Sequence, residues 1–172
     1  MKTQSKTPEA NALRDDFLHA MRYVANSVTV VTTDGKAGIS GATVSAFSSV
    51  SADPPMVLVC LNNDSNTLEK IKDNADFCVN VLPEGAKHIA ERFAGFHDDE
   101  YPNRFEGIDF TESNGPSPVI SGATAFICKL DEMVTSGSHV ICFGRVTETH
   151  AGNFTPLIYM DRKFKRISDL ED

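Results

Sequence analysis

Apolar residues near the start of the chain recur at helical spacing. Leu13, Phe17, Met21 and Val24 are separated by four, four and three positions, which places their side chains on one face of a helix. We therefore predict a first helix over residues 9–25 and expect its apolar face to enter the core.

The pattern then changes to that of strands. Segments rich in Val, Thr, Ile and Phe are separated by turn residues, which is typical of strands. They predict strands at 27–33, 39–51 and 55–61. Asp34-Gly35 predicts a tight hairpin, with the first two strands antiparallel, because glycine readily adopts positive φ. Residues 56–61 are apolar at every position, so we expect this strand to be covered on both faces, in the centre of a barrel.

The rest of the chain combines short helices with further strands. Asn66 and Glu69 have the spacing of a capping box, so a second helix is predicted within 64–74, and a third is predicted over 83–95. Residues 95–118 show no sustained period and are expected to form a long functional cover. Strands are predicted at 76–82, 119–134, 138–150 and 156–160. This content predicts one mainly antiparallel β-barrel domain over 1–172 with peripheral helices and a flexible segment at 1–12.

Composition narrows the class of protein. The chain has 172 residues, 41% of them hydrophobic and 23% charged, as in an ordinary globular domain. A formal net charge of −8 argues against non-specific nucleic-acid binding, which requires clustered cations. The polar start and the lack of a membrane-length apolar run favour the cytoplasm. Cys60, Cys78, Cys128 and Cys142 lie in strand-like runs without CxxC spacing, so we expect buried reduced thiols and no metal site.

The segment most suggestive of a binding site is a strand of small residues. The chain contains none of the glycine-rich dinucleotide, phosphate-loop, zinc-protease or nucleophile-elbow motifs. Residues 41–51 instead combine Gly, Ala, Ser and Thr and end at Asp53-Pro54-Pro55. Such a strand allows a flat heteroaromatic ring to approach the backbone closely. A Ser/Thr-rich edge strand without a ligand is the alternative interpretation.

Six segments together resemble a known family. They are TVSAFSSVSADPP at 43–55, NNDSNT at 62–67, NVL at 80–82, RFAG at 92–95, GSHVICFGRV at 137–146 and PLIYMDRKF at 156–164. In order and spacing the chain resembles the flavin reductase family with the FMN-binding split-barrel fold, which includes reductase components of two-component flavin-dependent monooxygenases.

This resemblance implies an antiparallel split barrel that forms a homodimer, with the flavin site near the subunit interface. It implies hydride transfer from NADH or NADPH to FMN or FAD, and delivery of reduced flavin to a partner monooxygenase. Two alternatives stay open: a flavin-dependent reductase of corrinoids, acting on cob(II)yrinic acid diamide in cobalamin synthesis, and a non-enzymatic flavin- or haem-binding module.

The resemblance also implies which residues bind the cofactors. The flavin ring and ribityl chain would be lined by Thr43, Val44, Ser45, Ala46, Phe47, Ser48, Ser49 and Val50. Ser65, Asn66 and Thr67 would meet the flavin phosphate; a helix start is an anion site in its own right, although a plain N-cap would use the same residues. Further expected contacts are Asn62, Asn80, Phe93, Tyr159 and Arg162, with a core position as the alternative for Phe93.

His139 is the candidate catalytic residue. It begins a strand after a glycine-containing turn and occupies the position where the family has a histidine near the nicotinamide and flavin. Ser138 stands where an acid is common in the family, which leaves the orientation and protonation of the imidazole open. A structural histidine at a strand end is the alternative.

Overall fold

A computed structural model of the chain describes residues 8–170. Its helices are α1 (Pro8–Met21), α2 (Asn66–Asn74) and α3 (Lys87–Phe93). Its strands are β1 (Asn26–Ser27), β2 (Thr29–Thr33), β3 (Ser40–Val44), β4 (Phe47–Ala52), β5 (Pro55–Asn62), β6 (Asp76–Val81), β7 (Phe110–Thr111), β8 (Val119–Ile120), β9 (Thr124–Ser136), β10 (His139–His150), β11 (Ile158–Met160) and β12 (Lys163–Lys165). No helix in this part of the chain is both long and apolar enough to cross a bilayer.

Seven strands form one antiparallel sheet in the order β3-β2-β6-β9-β10-β5-β4. Its two edge strands, β3 and β4, are separated in sequence only by Ser45 and Ala46. Two residues can connect opposite edges only if the sheet curls until those edges approach each other. The mainly antiparallel barrel with peripheral helices is thus confirmed, and its two edges remain unpaired with each other.

The inside of the curled sheet forms the main core. Val31, Val59 and Phe77 are fully buried there, and α2 adds Leu68 and Ile71 from one end. Alternate residues of the strands supply these side chains, as the two-residue period of a strand requires. A second core cluster lies between β2, α3 and the small sheet β1-β11-β12.

The expected role of the first helix is wrong. α1 ends at Met21, and Leu13 and Phe17 are 72% and 60% exposed. Helical spacing of apolar residues shows that a helix has one apolar face, but it does not show which surface buries that face. Of the flexible segment expected at 1–12, residues 1–7 lie outside the described part, and α1 begins at Pro8.

Two strand predictions also need correction. The segment 39–51 is two strands, β3 and β4, because the chain leaves one sheet edge at Ser45 and joins the other at Phe47. β5 lies beside β4, near an edge, and its residues alternate between buried and partly exposed, so one of its faces is only half covered.

The turns and caps differ in detail from the expectations. β2 and β3 are antiparallel as predicted, but residues 34–39 form a six-residue loop rather than a tight turn. Ser65, not Asn66, is the N-cap of α2, and it makes no side-chain capping bond. The segment 119–134 breaks at 121–123, where Gly122 has a φ of +80°. β7 and β12 are short strands that the sequence pattern did not predict, and the predicted strand 27–33 is interrupted at Val28, which separates β1 from β2.

Candidate functional site

Three adjoining clefts meet along β3. The polar cleft (≈ 590 Å³) is lined by 39–42 and by 65–67 at the start of α2. The central cleft (≈ 290 Å³) is lined by 42–46 and His139. The third, the basic cleft (≈ 600 Å³), shares Thr43, Val44 and Ser45 with the central cleft. β3 is therefore a common wall for one extended ligand or for two ligands that touch.

The small residues of β3 make room for this wall. A Cβ on Gly41 would lie 2.7 Å from the ring of Phe93, so only glycine fits where α3 packs against the strand. Thr43 Oγ1 donates a hydrogen bond of 2.7 Å to Ala90 O and fixes α3 to the strand. β3 pairs only with β2 among the described strands, so backbone groups on its other edge can face a ligand.

The polar cleft contains the start of α2. The first amides of a helix have no intrahelical acceptor, and the helix dipole makes this end attractive to anions. Ser65 caps the helix in extended conformation without using its hydroxyl as a capping acceptor. Thr67 is 3% exposed, and its Oγ1 lies 2.9 Å from Ser40 Oγ, so its hydroxyl serves the fold as well as the cleft wall.

Arg104 also lines the polar cleft. Its guanidinium donates bonds of 2.7 and 2.6 Å to the two carboxylate oxygens of Asp98 and one of 3.0 Å to Phe93 O. These bonds hold the pKa of Asp98 below its usual value and fix the cation in the cleft that the start of α2 also lines. Arg104 was not among the expected contacts, because the segment 95–118 was predicted only as a cover and contains no motif that singles out this arginine.

The central cleft contains the candidate catalytic histidine. His139 faces Asn62 across the β10–β5 ladder, and both residues line the cleft together with Cys60. His139 Nδ1 lies 2.9 Å from Ser138 Oγ. The serine that stands in place of an acid therefore supplies a neutral hydrogen-bond partner that can orient the imidazole.

The basic cleft combines cations with aromatic rings. Tyr159 and Arg162, both expected from the sequence, line it together with Lys163. Lys87, Phe96 and Phe164 complete this group and were not expected. Phe164 ends the segment PLIYMDRKF, whereas Lys87 and Phe96 lie outside the six resembling segments, so only the folded chain brings the three together.

Six expected contacts line none of the three clefts. Ser48, Ser49 and Val50 are exposed on β4, and Phe47 packs against Phe126. Asn80 is fully buried and bonds Val30 O, Thr32 Oγ1 and Ile120 N. Phe93 is buried 4.9 Å from the ring of Phe105. We therefore assign core roles to Asn80 and Phe93 in place of cofactor contacts, because their polar or aromatic surfaces are already occupied by the fold.

Comparison with known proteins relates this arrangement to one family. Residues 21–168 match the model of the flavin reductase like domain. FMN reductase (NADH) RutF of Ancylobacter novellus is 34% identical over 170 residues, covering 97% of this chain and 93% of that protein.

Two solved structures extend the comparison. The homologue of nitrilotriacetate monooxygenase component B from Mycobacterium thermoresistibile is 28% identical with a TM-score of 0.83, covering 92% of this chain and 89% of that one. The NADH:FAD oxidoreductase SgcE6 of Streptomyces globisporus, in complex with NAD and FAD fragments, is 26% identical with a TM-score of 0.82, covering 99% and 100%.

Proposed function

Because the chain belongs to the family of flavin reductase like domains, we propose that its three clefts hold a flavin nucleotide and the dinucleotide that reduces it. The chain is an oxidoreductase that transfers hydride from a nicotinamide dinucleotide to FMN or FAD. It supplies the reduced flavin to a flavin-dependent partner enzyme, as the relationship to a monooxygenase component indicates.

The path of β3 through the clefts is the observation that supports this assignment most. Ser40 and Val44 are four residues apart on β3, which is roughly 13 Å at the rise of a strand. Small side chains along this path let a flat ring approach the open backbone edge. We place the flavin ring in the central cleft, against 43–46, and its phosphate in the polar cleft.

The polar cleft has the chemistry that a flavin phosphate requires. The amides at the start of α2, the hydroxyl of Ser65 and the guanidinium of Arg104 border the same space. Backbone amides at a helix start and an arginine are strong donors to phosphate oxygens. The expected roles of Ser65, Asn66 and Thr67 thus stay part of the proposal, with Arg104 added to them.

The protein's task in the reaction is alignment and exclusion of water. When bound, flavin supplies the acceptor atom, N5, for the hydride that leaves nicotinamide C4. Val44, Ala46 and Cys60 line the central cleft, so apolar surface can displace water from the reacting faces. His139, oriented by Ser138, can hold the dinucleotide amide by a hydrogen bond. No side chain has to act as a nucleophile.

We also propose that two copies of the chain form a homodimer. The apolar face of α1 is exposed, and the half-covered face of β5 presents Met56, Leu58 and Cys60. Surfaces of this kind are typical of interfaces rather than of monomer exteriors. Cys60 belongs both to this face and to the central cleft, so a partner there would adjoin the flavin ring.

The experiment for the proposed function is steady-state oxidation of NADH and of NADPH with FMN, FAD and riboflavin in turn. Catalytic oxidation with a flavin is expected, and riboflavin should be the poorest acceptor because it lacks the phosphate that the polar cleft binds. If the dinucleotide absorbance stayed constant with each of the three flavins, the proposal would be contradicted. Equal KM values for FMN and riboflavin would show that the polar cleft does not bind the flavin phosphate.

A further inference from the structure

His139 directly follows the exposed tip of a hairpin. Gly137 and Ser138 form a two-residue turn between β9 and β10, in which Ser136 pairs with His139. Gly137 has a φ of +60°, which glycine adopts without strain. All residues from 134 to 139 are exposed, and exposed tips of hairpins are ordinarily among the more mobile parts of a fold. A fixed position of His139 therefore depends on contacts from outside the hairpin.

Asn63 supplies these contacts from the loop between β5 and α2. Its backbone N donates a hydrogen bond of 3.0 Å to Ser138 O. Its side-chain Nδ2 donates another, of 3.1 Å, to Gly137 O. Both carbonyl groups of the two-residue turn thus accept a hydrogen bond from the same asparagine, which fastens the turn to a different part of the chain.

The loop that contains Asn63 is itself tightly folded. Asn62 Oδ1 accepts a hydrogen bond from Asp64 N, and Asn62 O accepts one from Ser65 N, each 3.0 Å long. An asparagine side chain that bonds the amide two residues further on fixes a turn in this way. Ser65 is also the N-cap of α2, and Asn62 pairs with His139 in the β5–β10 ladder. Asn63 therefore belongs to a constrained loop that begins beside His139 and ends at the polar cleft.

Ser138 links the position of the turn to the orientation of the imidazole. Its Oγ lies 2.9 Å from His139 Nδ1. A hydrogen bond at Nδ1 determines which ring nitrogen carries the proton, and hence whether Nε2 is a donor or an acceptor toward the cleft. The orientation of His139 accordingly depends on where Ser138 lies, and the position of Ser138 depends on Asn63.

On these grounds, and resting on the proposed function, we propose that Asn63 is a positioning residue for hydride transfer. It fixes the turn of Gly137 and Ser138, and through Ser138 it holds His139 in the orientation that the dinucleotide meets in the central cleft. Asn63 lines none of the three clefts, so it acts through His139 and touches neither cofactor. Because the same loop leads into α2, one short segment holds both His139 and the start of the polar cleft in place.

Asn63→Ala removes the bond to Gly137 O and keeps the backbone bond to Ser138 O. Since Asn63 is exposed, the fold should tolerate the change, and the melting temperature and the affinity for FMN should stay near those of the wild type. Stopped-flow reduction of FMN by saturating NADH should slow about fivefold, the effect of losing one neutral hydrogen bond. Asn153→Ala, which truncates another exposed asparagine in the loop between β10 and β11, is the matched control and should change none of these quantities.

A double-mutant cycle with His139→Ala distinguishes a role through His139 from a general effect on the fold. In the His139→Ala background the positioned group is absent, so adding Asn63→Ala should slow reduction by less than about twofold. Equal slowing in both backgrounds, an unchanged rate in Asn63→Ala, or a wild-type rate in His139→Ala would overturn the proposal. Each of these outcomes is read in an enzyme that still reduces FMN and leaves the proposed function intact. A wild type that does not reduce FMN with NADH would reject that function, and this proposal with it.

Discussion

Asn80 and His139 are both polar residues on strands of the main sheet, and their surroundings give them opposite roles. Asn80 lies fully buried, and its side chain satisfies Val30 O, Thr32 Oγ1 and Ile120 N. His139 is exposed at the start of β10 and lines the central cleft. A buried amide whose partners are all protein atoms holds the fold together, whereas an exposed imidazole beside a cleft is free to meet a ligand.

Replacing Asn80 by Ala should reduce stability rather than binding. The buried amide of Ile120 would lose its acceptor, and two further hydrogen bonds would disappear, which should lower the free energy of unfolding by about 2–4 kcal/mol. Urea denaturation measures this loss. If the variant were as stable as the wild type but bound flavin more weakly, Asn80 would be a cofactor contact and not a core residue.

Replacing His139 by Ala should have the opposite outcome. The imidazole is exposed, so the melting temperature should stay near that of the wild type. Flavin reduction by saturating NADH should fall by roughly tenfold to a thousandfold, about 1.4–4 kcal/mol of barrier, because the dinucleotide loses a positioning contact. Stopped-flow reduction and a thermal melt of the same sample distinguish a role of His139 in the reaction from a structural role. An unchanged reduction rate would exclude a role in the hydride step.

The start of α2 and the segment 95–118 act together as elements of the polar cleft. α2 offers its first-turn amides, while the segment supplies Arg104, which Asp98 and Phe93 O hold in place. Arg104→Gln should therefore weaken FMN binding about tenfold or more and leave riboflavin binding unchanged. Arg145→Gln, which breaks the exposed pair with Asp131, is the matched control. Equal weakening of both flavins, measured by fluorescence titration, would mean that Arg104 shapes the cleft without meeting the phosphate.

The same segment is tied to β10 by a carboxylate that titrates. Glu148 accepts bonds from Asn114 N (2.9 Å) and pairs with His150 Nε2 (2.7 Å). The Asn114 amide first, and His150 second, lower the pKa of Glu148 below its ordinary value of 4.5. A lowered folded-state pKa means that the carboxylate stabilises the fold above pH 4.5 and loses this effect as the pH falls through the folded-state pKa.

The lowered pKa of Glu148 predicts how the stability of a variant depends on pH. Glu148→Gln should lower Tm at pH values above 4.5, and the difference from the wild type should shrink as the pH falls below that value. Glu132→Gln, at an exposed position of β9, should show no such trend. Thermal melts across this range provide the measurement, and a difference that grows on acidification would contradict the assigned role of Glu148.

The sequence could predict some of the secondary-structure elements and not others. Runs rich in Val, Thr, Ile and Phe between turn residues predicted most strands and the antiparallel sheet, because strand composition and turn residues are local properties of the chain. The division of 39–51 into β3 and β4 was not predictable, since it depends on the curling of the whole sheet. Likewise, Arg104 and Lys87 reach their clefts from distant segments with no shared motif, so only tertiary structure identifies them.

At the scale of the whole molecule, the exposed face of α1 should hold two copies of the chain together. Phe17→Glu would place a charge in that interface, so a sedimentation experiment should find the wild type at twice the chain mass of 18.7 kDa and the variant as a monomer. Asp15→Glu introduces the same side chain on the polar face of α1 and should remain dimeric. A wild-type monomer, or a dimeric Phe17→Glu variant, would contradict this use of the helix.

In the proposed function, the curled sheet, its two neighbouring edges and the three clefts along β3 together serve one reaction. The most direct test of that account is anaerobic addition of NADH to the protein with excess FMN, while the flavin absorbance is followed to completion. The account predicts that one protein molecule bleaches many molecules of FMN at the expense of an equal number of NADH molecules. Bleaching limited to one flavin per chain, or none at all, would contradict it and leave a protein that binds flavin without reducing it catalytically.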